Sequence, residues 1–470
     1  MDIFNNLFFN HDYELYILYF FFLYGTISYI RHRFRFNKYF KKINNSSNYV
    51  KLQEALLSSE DSIKWPFIGI MVPARNEGLV IENTLRRIDK LDYPKNRLKV
   101  FIIVDKRELK DKVEILTKDA VKRIAAEIHL KYKKEYINLI EVPEWYSGVF
   151  GSKDRTFKKS TKGRALNYAL EYINKKFKKI EILGILDADG RLHPEVLKEV
   201  GLKIINDGSK LLQGPVFQIS NFKSVNIVGI VAGIELAIHH MTELPAKILN
   251  NKVQFLAGTN YFVDKKVITT VKGWDQDTLV EDAELAIRIY SSLGIKAQWL
   301  NSFELEQSPK NFRIYRKQRE RWARGHLHLI KYVLSSKLNF SDKLGFFVKI
   351  FSSQFRFFID LFIPLLALYL LLSGKILNSN SLLNYLSFFF AFMSILILDL
   401  YGYMYRRLVL YMPEKPSLLF RIKMCSKLFI FMPLFMFIQA VPRMQSIFNY
   451  LFTKQQEWYK TERTKELITE

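Results

Sequence analysis

The segment Ile182-Leu183-Gly184-Ile185-Leu186-Asp187-Ala188-Asp189-Gly190 decides how this chain is read. A compact run of Ile and Leu reads as a buried strand, and this one ends on two acids separated by a single residue. Such a pair presents two carboxylates to one small volume. They repel there unless a hard divalent cation bridges them to another anion, such as a diphosphate. Working outward, Phe67–Val72, Lys99–Val104 and Ile137–Val142 are runs of the same kind, while Leu79–Leu91, Val113–Tyr132 and Arg164–Phe177 carry apolar residues at helical spacing. From Trp65 to about Leu300 the chain therefore predicts an α/β sheet with covering helices. Every doubly wound nucleotide-binding domain shares that pattern, so the residues at the strand ends must decide the chemistry.

The rest of the chain is of a different character. It has 470 residues, 49% hydrophobic and 15% aromatic with 39 Phe, yet 25% charged, so its apolar residues must be unevenly distributed. That profile predicts a soluble domain joined to membrane spans. The single cysteine, Cys425, excludes an internal disulfide framework and any multi-cysteine metal site. A net charge of +25 invites a nucleic-acid partner, but the placement of the cations argues against one. Arg31-His32-Arg33-Phe34-Arg35 to Lys41-Lys42 follows an apolar stretch, and Arg406, Arg407, Arg421, Lys423 and Lys427 lie between later ones. Cations flanking spans hold loops on the cytoplasmic side, near anionic headgroups.

Leu15–Ile30 is expected to anchor the chain, with residues 1–42 forming a transmembrane segment and its basic cytoplasmic flank. Residues 43–64 are polar and read as a linker, and 65–306 is the expected α/β domain. Within 307–345, Gln307–Leu338 carries many cations beside Trp322, Leu327, Leu329 and Ile330, the pattern of a helix lying at a membrane interface. Phe355–Leu372 and Leu382–Met404 read as a hairpin of spans within 346–452. Leu418–Phe452 is apolar but interrupted by Lys423, Lys427, Pro433, Pro442 and Arg443. One span, a re-entrant pair or interfacial helices all fit it. Residues 453–470 form a hydrophilic tail, and the expected location is the plasma membrane, multi-pass, with the α/β domain cytoplasmic.

In an open α/β sheet ligands bind beyond the carboxyl ends of the strands. Three segments fall at such ends: Pro73-Ala74-Arg75-Asn76-Glu77, Asp105, and Asp187-Ala188-Asp189. Each taken singly could be a bland polar loop; all three in order make that reading poor. Breaking a bond to a dianionic diphosphate needs a cation at the developing charge. Asp189 is the expected direct ligand of Mg²⁺ or Mn²⁺, with Asp187 nearer the ribose or sharing the site. An attacking hydroxyl must also lose its proton, and Asp282, next to Glu281 at the start of the helical stretch Ala283–Ser292, is placed to accept it. The plainer role for Glu281-Asp282 is favourable charge at a helix N-terminus. Gln318-Arg319-Glu320-Arg321-Trp322 offers an amide, a guanidinium fork suited to phosphate oxygens and an indole suited to a sugar face.

These motifs together resemble the membrane-embedded branch of glycosyltransferase family 2, which includes the cellulose, chitin and hyaluronan synthases. The likeness is carried by Val72-Pro73-Ala74-Arg75-Asn76-Glu77, Asp105, Lys162-Gly163-Arg164-Ala165-Leu166-Asn167, Asp187-Ala188-Asp189, Gln213-Gly214-Pro215, Gly258-Thr259-Asn260, Glu281-Asp282 and Gln318-x-x-Arg321-Trp322. The resemblance implies a GT-A (Rossmann-like) fold, a divalent metal, a nucleotide-activated donor and inversion at the anomeric carbon. It implies that Pro73, Glu77 and Asp105 border the nucleoside, that Lys162 approaches the donor, and that Asp187 and Asp189 hold diphosphate and metal. Asp282 becomes the base beside Glu281, Gln318 and Arg321 meet the diphosphate, and Trp322 lies under the acceptor sugar, with Gln213, Gly258, Thr259 and Asn260 assigned to the acceptor side. Trp458-Tyr459-Lys460-Thr461-Glu462-Arg463 is similar to a cytoplasmic segment of related enzymes, which favours a re-entrant or paired arrangement for Leu418–Phe452. Val280 departs from the family, where a Thr precedes the Glu-Asp pair.

The expectation is an inverting, metal-dependent polysaccharide synthase drawing on a cytoplasmic sugar nucleotide, a UDP-sugar in the first instance. Its partners would be the growing polysaccharide or a lipid-linked acceptor, membrane lipids and a second copy of itself, with no nucleic acid. Alternatives are single transfer to a lipid or polyprenyl acceptor, and an idle scaffold or export subunit. Lys153, Arg155, Lys158 and Lys159 mark a loop expected to fold over the donor phosphates.

Overall fold

The computed structural model of the protein describes residues 12–58, 63–111, 113–133, 135–152, 160–250, 252–352, 354, 395–396, 398–412, 415–452 and 463. Its helices are α1 (Asp12–Asn44), α2 (Ser46–Ser58), α3 (Ile81–Asp89), α4 (Thr117–Tyr132), α5 (Lys162–Lys176), α6 (Val196–Asp207), α7 (Ile227–Ile238), α8 (Leu244–Leu249), α9 (Lys265–Thr270), α10 (Glu281–Leu293), α11 (Phe312–Ser335) and α12 (Leu418–Phe452). Its strands are β1 (Ile68–Ala74), β2 (Leu98–Asp105), β3 (Ile137–Val142), β4 (Ile182–Ile185), β5 (Arg191–Leu192), β6 (Leu211–Gln213), β7 (Val216–Gln218), β8 (Tyr261–Asp264), β9 (Gln298–Trp299) and β10 (Glu304–Glu306).

The main sheet is mixed, in the order β3-β2-β1-β4-β8-β6-β9. β1, β2, β3 and β4 run parallel, whereas β8 is antiparallel to both β4 and β6. Side chains alternate between the faces of a strand, and both faces here are covered. Ile68, Ile70, Val72, Val100 and Ile102 enter one core beneath α3 and α4, while Met71, Phe101, Ile103, Leu183 and Ile185 enter the other beneath α5. Double coverage explains why these strands read as unbroken apolar runs. A second small sheet, β5-β10-β7, stands beside the carboxyl end of β4. The strand order reverses between β1 and β4, and that crevice is the expected ligand position in an open sheet.

Four differences from the sequence reading have physical causes. First, residues 46–58, where a polar linker is expected, form α2, because Val50 is fully buried and Lys198 on α6 reaches Glu54 at 3.0 Å. Second, α1 continues unbroken through the basic block, since Phe36, Phe40 and Ile43 pack inward while the cations fan outward. Third, α11 does not lie with one face open. It is packed against α12, α7 and α10, with Gln318, Arg324, Leu329 and Val333 buried. Fourth, Leu418–Phe452 is a single 35-residue helix rather than a pair. Met424, Leu428, Phe435, Gln439, Ala440 and Ser446 are buried on its inner side, so packing along α11 keeps it helical through the interruptions.

Among the described residues one stretch, Ile227–Leu249, is long and apolar enough to cross a membrane, but most of its apolar window is buried inside the protein. It was not singled out by the sequence reading, and its packing beneath β7 marks it as core. Phe355–Leu372, most of Leu382–Met404 and the loop cations Lys153, Arg155, Lys158 and Lys159 lie outside the described residues, as do Trp458 to Glu462.

Candidate active site

The carboxyl ends of β1, β2 and β4 bring Glu77, Asp105, Asp187 and Asp189 to one edge of the sheet, and the turn after β4 aims the last two into the crevice. Asp189 is 1% exposed; its Oδ2 accepts from the Gln307 backbone N–H at 2.9 Å, and its Oδ1 lies 2.8 Å from the Arg463 guanidinium. Asp187 accepts from Lys162 Nζ at 2.5 Å and lies 4.0 Å from Arg463. Burial pushes both carboxyls up. The Lys162 and Arg463 charges outweigh it at Asp187, which is held below the ordinary range, whereas Asp189 stays raised. Gly190 permits this packing, because a Cβ there would lie 2.2 Å from Glu304 Oε1.

A second wall comes from α5 and α10. Lys162 opens α5 and donates to Asp187 and to the Gly258 carbonyl at 2.8 Å, with Glu281 Oε1 at 4.0 Å. Asp282 stands in the first turn of α10, half-buried, with its Oδ2 beside Gly258. Gly258 has φ +80°, which only glycine adopts freely, and a Cβ there would come within 3.3 Å of that oxygen. Burial first, then the neighbouring Glu281, pushes Asp282 up to about 7 against the opposing charge of Lys162. A carboxyl poised near neutrality suits a general base. Arg321, from α11, is half-buried in the field of Glu281, Asp282 and Asp187 and donates to the Leu279 carbonyl at 3.0 Å. Glu281, Lys162, Arg321 and Tyr261 are among the charged or titratable groups that face Asp282. The expected consequence is a rate that falls about tenfold per pH unit on the acid side of a limb at or below about pH 7. A kcat/KM profile that is flat from pH 5 to 8 would remove Asp282 from the reaction.

Several residues assigned from sequence take other places. Gln213 and Asn260 are wholly buried and spent on backbone. Gln213 donates to the Gly214 and Thr259 carbonyls and accepts from Ala257 N–H, while Asn260 donates to the Pro215 and Ser302 carbonyls. Thr259, 2% exposed, donates to Glu304 and accepts from Asp187 N–H. These three side chains bond within the fold and shape the Gly258 loop. Asp105 is buried and engaged by Arg164 at 2.8 Å, Arg107 at 2.6 Å and Ser160 at 2.6 Å, so cations hold it low against burial. Pro73, the residue before the last of β1, is half-buried. Gln318 is 3% exposed and accepts from Arg319 at 3.3 Å, and Arg319 covers the Trp322 ring at 4.4 Å.

Two acids of this site escaped sequence reasoning. Glu304 and Glu306 lie on one face of β10, and the signal was their period of two in Glu304-Leu305-Glu306. Burial, then Asp187 and Asp189, pushes Glu306 up to about 8. Arg463 was quoted only within a similar tail segment, and nothing local predicts that it meets Asp189. Carboxylate oxygens are the donor set hard divalent cations prefer, and Asp187 and Asp189 converge with Glu306 so that one oxygen of each lies within 4.8 Å of the others.

The family described as "Glycosyl transferase family group 2" matches residues 182–438. The chain is similar to a probable glycosyltransferase, YdaM, of Bacillus subtilis (strain 168), with 24% identity over 412 residues, 86% of this chain and 88% of that protein. It is also similar to a beta-monoglucosyldiacylglycerol synthase of Synechocystis, with 23% identity over 62% of this chain and 55% of the relative. Among solved structures, the mannosyltransferase PcManGT of Pyrobaculum calidifontis, in complex with GDP-Man and Mn²⁺, aligns with a TM-score of 0.43 and 14% identity over 91% of this chain and 99% of that one.

Proposed function

This chain belongs to glycosyl transferase family group 2, and from that premise we propose that it moves a sugar, with inversion, from a nucleotide donor to the growing end of a polysaccharide at the cytoplasmic face of the plasma membrane. That it is a glycosyltransferase of the hexosyl class follows from the family and its relatives. The single observation carrying the mechanism is that a base, a cation and a pair of diphosphate-side acids face one crevice: Asp282, Lys162, Asp187 and Asp189.

The donor's nucleoside lies along the β1 and β2 ends, with Pro73, Glu77 and Asp105 as its border. Lys162 and Arg321 supply positive charge to the diphosphate, Arg321 through its planar fork. Asp189 and Asp187 would hold Mg²⁺ or Mn²⁺, which when bound neutralises charge developing on the departing diphosphate. Asp282 accepts the proton of the acceptor hydroxyl as that oxygen forms its bond to the anomeric carbon, and Glu281 keeps the Asp282 carboxyl basic. The half-buried Trp322 offers its indole to the acceptor sugar beyond Asp282.

Membrane association is supported by α12, which exposes Leu419, Phe429, Ile430, Phe448 and Phe452 along one side, Ile430 at 78%. Exposed apolar side chains in this number, with Lys423 and Lys427 exposed among them, mark an interaction surface, lipid included. A second reading, transfer of one sugar to a lipid acceptor, is favoured by the name of the Synechocystis relative. Incubating the purified full chain with a panel of UDP- and GDP-sugars and sizing the products separates the two. A ladder supports polymerisation, and one glycolipid spot supports single transfer. Release of nucleoside diphosphate from no donor, with or without membrane lipid, overturns both.

A further inference from the structure

We infer that Glu306 is a third carboxylate ligand of the divalent cation, completing with Asp187 and Asp189 a site that the Asp-x-Asp pair alone leaves open. The inference rests on the metal-dependent reading above. β10 puts Glu304 and Glu306 on the same face, but they are differently committed. Both oxygens of Glu304 accept from Thr259 Oγ1, at 2.9 and 2.7 Å, so that carboxylate is held within the fold. Glu306 is 5% exposed; its Oε2 accepts from Gln218 Nε2 at 3.2 Å, while its Oε1 is buried with no hydrogen-bond partner among the described residues. A buried carboxylate oxygen left unpaired costs several kcal/mol unless a cation meets it, by the order of magnitude for unpaired charge.

A cation does come to this place. The Arg463 guanidinium stands 2.8 Å from Asp189, 4.0 Å from Asp187 and 3.9 Å from Glu77. A side chain drawn from the far end of the chain thus marks the volume as one that recruits positive charge. The chain also fixes Glu306 and Asp189 as a unit. The residue after Glu306, Gln307, donates its backbone N–H to Asp189 Oδ2, while the other Asp189 oxygen meets the Arg463 guanidinium, the positive charge now standing at this cluster. Three carboxylate oxygens from three positions on rigid strand ends make the oxygen-rich half-shell a hard divalent ion takes, with other positions left for water and diphosphate.

The test is Mn²⁺ binding to the full chain without donor, read by the electron paramagnetic resonance signal of free Mn²⁺, for wild type, Glu306→Gln and Asp189→Asn. Glutamine keeps the size and the Gln218 contact but removes the charge. Glu306→Gln is expected to weaken Mn²⁺ by at least about tenfold, the low end of what losing even an outer-shell partner costs, with melting temperature in chelator unchanged or raised. Wild-type affinity in Glu306→Gln alongside weakened binding in Asp189→Asn overturns the assignment of Glu306 and leaves the metal reading standing. Equal binding in all three removes both. Loss of folding in Glu306→Gln, seen as a lowered melting temperature in chelator, identifies a purely structural carboxyl and likewise overturns the inference.

Discussion

Asp282→Asn is expected to lower kcat by about 10³-fold, within the 10² to 10⁴ that a positioned base contributes, while the donor KM moves by less than about threefold. Asparagine preserves the volume beside Gly258 and can still hydrogen-bond an acceptor, but it cannot take a proton. An interaction made only in the transition state shows itself in kcat and not in binding. The structure makes the expectation sharp because α10 sets Asp282 at a fixed place, with Glu281 in contact range of Lys162 and the base itself raised to about 7. Nucleoside diphosphate release at the wild-type rate would sink the assignment, leaving Glu281-Asp282 as ordinary charge at a helix N-terminus.

Lys162→Met is the second large effect, and it acts on stability and rate together. Lys162 is 13% exposed, donates to Asp187 and the Gly258 carbonyl, and balances Glu281 and Asp282. Its own pKa is raised because Asp187 and Glu281 outweigh its burial. Removing one partner of a buried ion pair costs about 3 to 5 kcal/mol, and the lower end applies here because Asp187 is 31% exposed. The pH dependence follows from sign. Without the cation, burial at Asp187 is opposed only by Arg463 and Arg321, and Asp282, already raised to about 7, loses the charge that opposed its burial and Glu281, so the folded pKa of both acids rises. A carboxyl raised by folding binds more protons when folded, so it subtracts stability as pH climbs from about 4 through the raised value. The deficit in melting temperature relative to wild type should therefore be larger at pH 8 than at pH 5. In kinetics kcat/KM should fall by about 10²-fold, the usual effect of deleting one preorganised donor, and the acid limb attributed to Asp282 should move to higher pH. An equal deficit at both pH values would show that Lys162 does not balance these acids.

Other parts of the site are silent in single-site chemistry yet decide its shape. Gln213, Thr259 and Asn260 were assigned to the acceptor on resemblance, but the fold uses them to hold the loop that carries Gly258 against Asp282. A motif string lists residue types without their partners, so a residue that touches substrate and one that props up its neighbour look the same. The converse holds for Glu306. It sits outside the quoted motifs, and its importance depends on β10 pairing with β5 and β7, a small sheet that two- and three-residue strands give no warning of.

What the sequence determined by itself is whatever is local or periodic. Runs such as Val100-Phe101-Ile102-Ile103-Val104 read as doubly buried strands, since a short unbroken apolar run needs cover on both faces, and acids placed after them fall at the ligand edge. Spacing also located α3 and α5 to within two residues at their start, and α4 to within four. Tertiary structure alone decided the rest: that α2 replaces a linker because Val50 finds a pocket, that Leu418–Phe452 is one helix because α11 packs along it, and that Arg463 reaches Asp189 across the whole chain. Those outcomes depend on which distant surfaces meet, and a contact between residues far apart in sequence leaves no periodic trace in either of them.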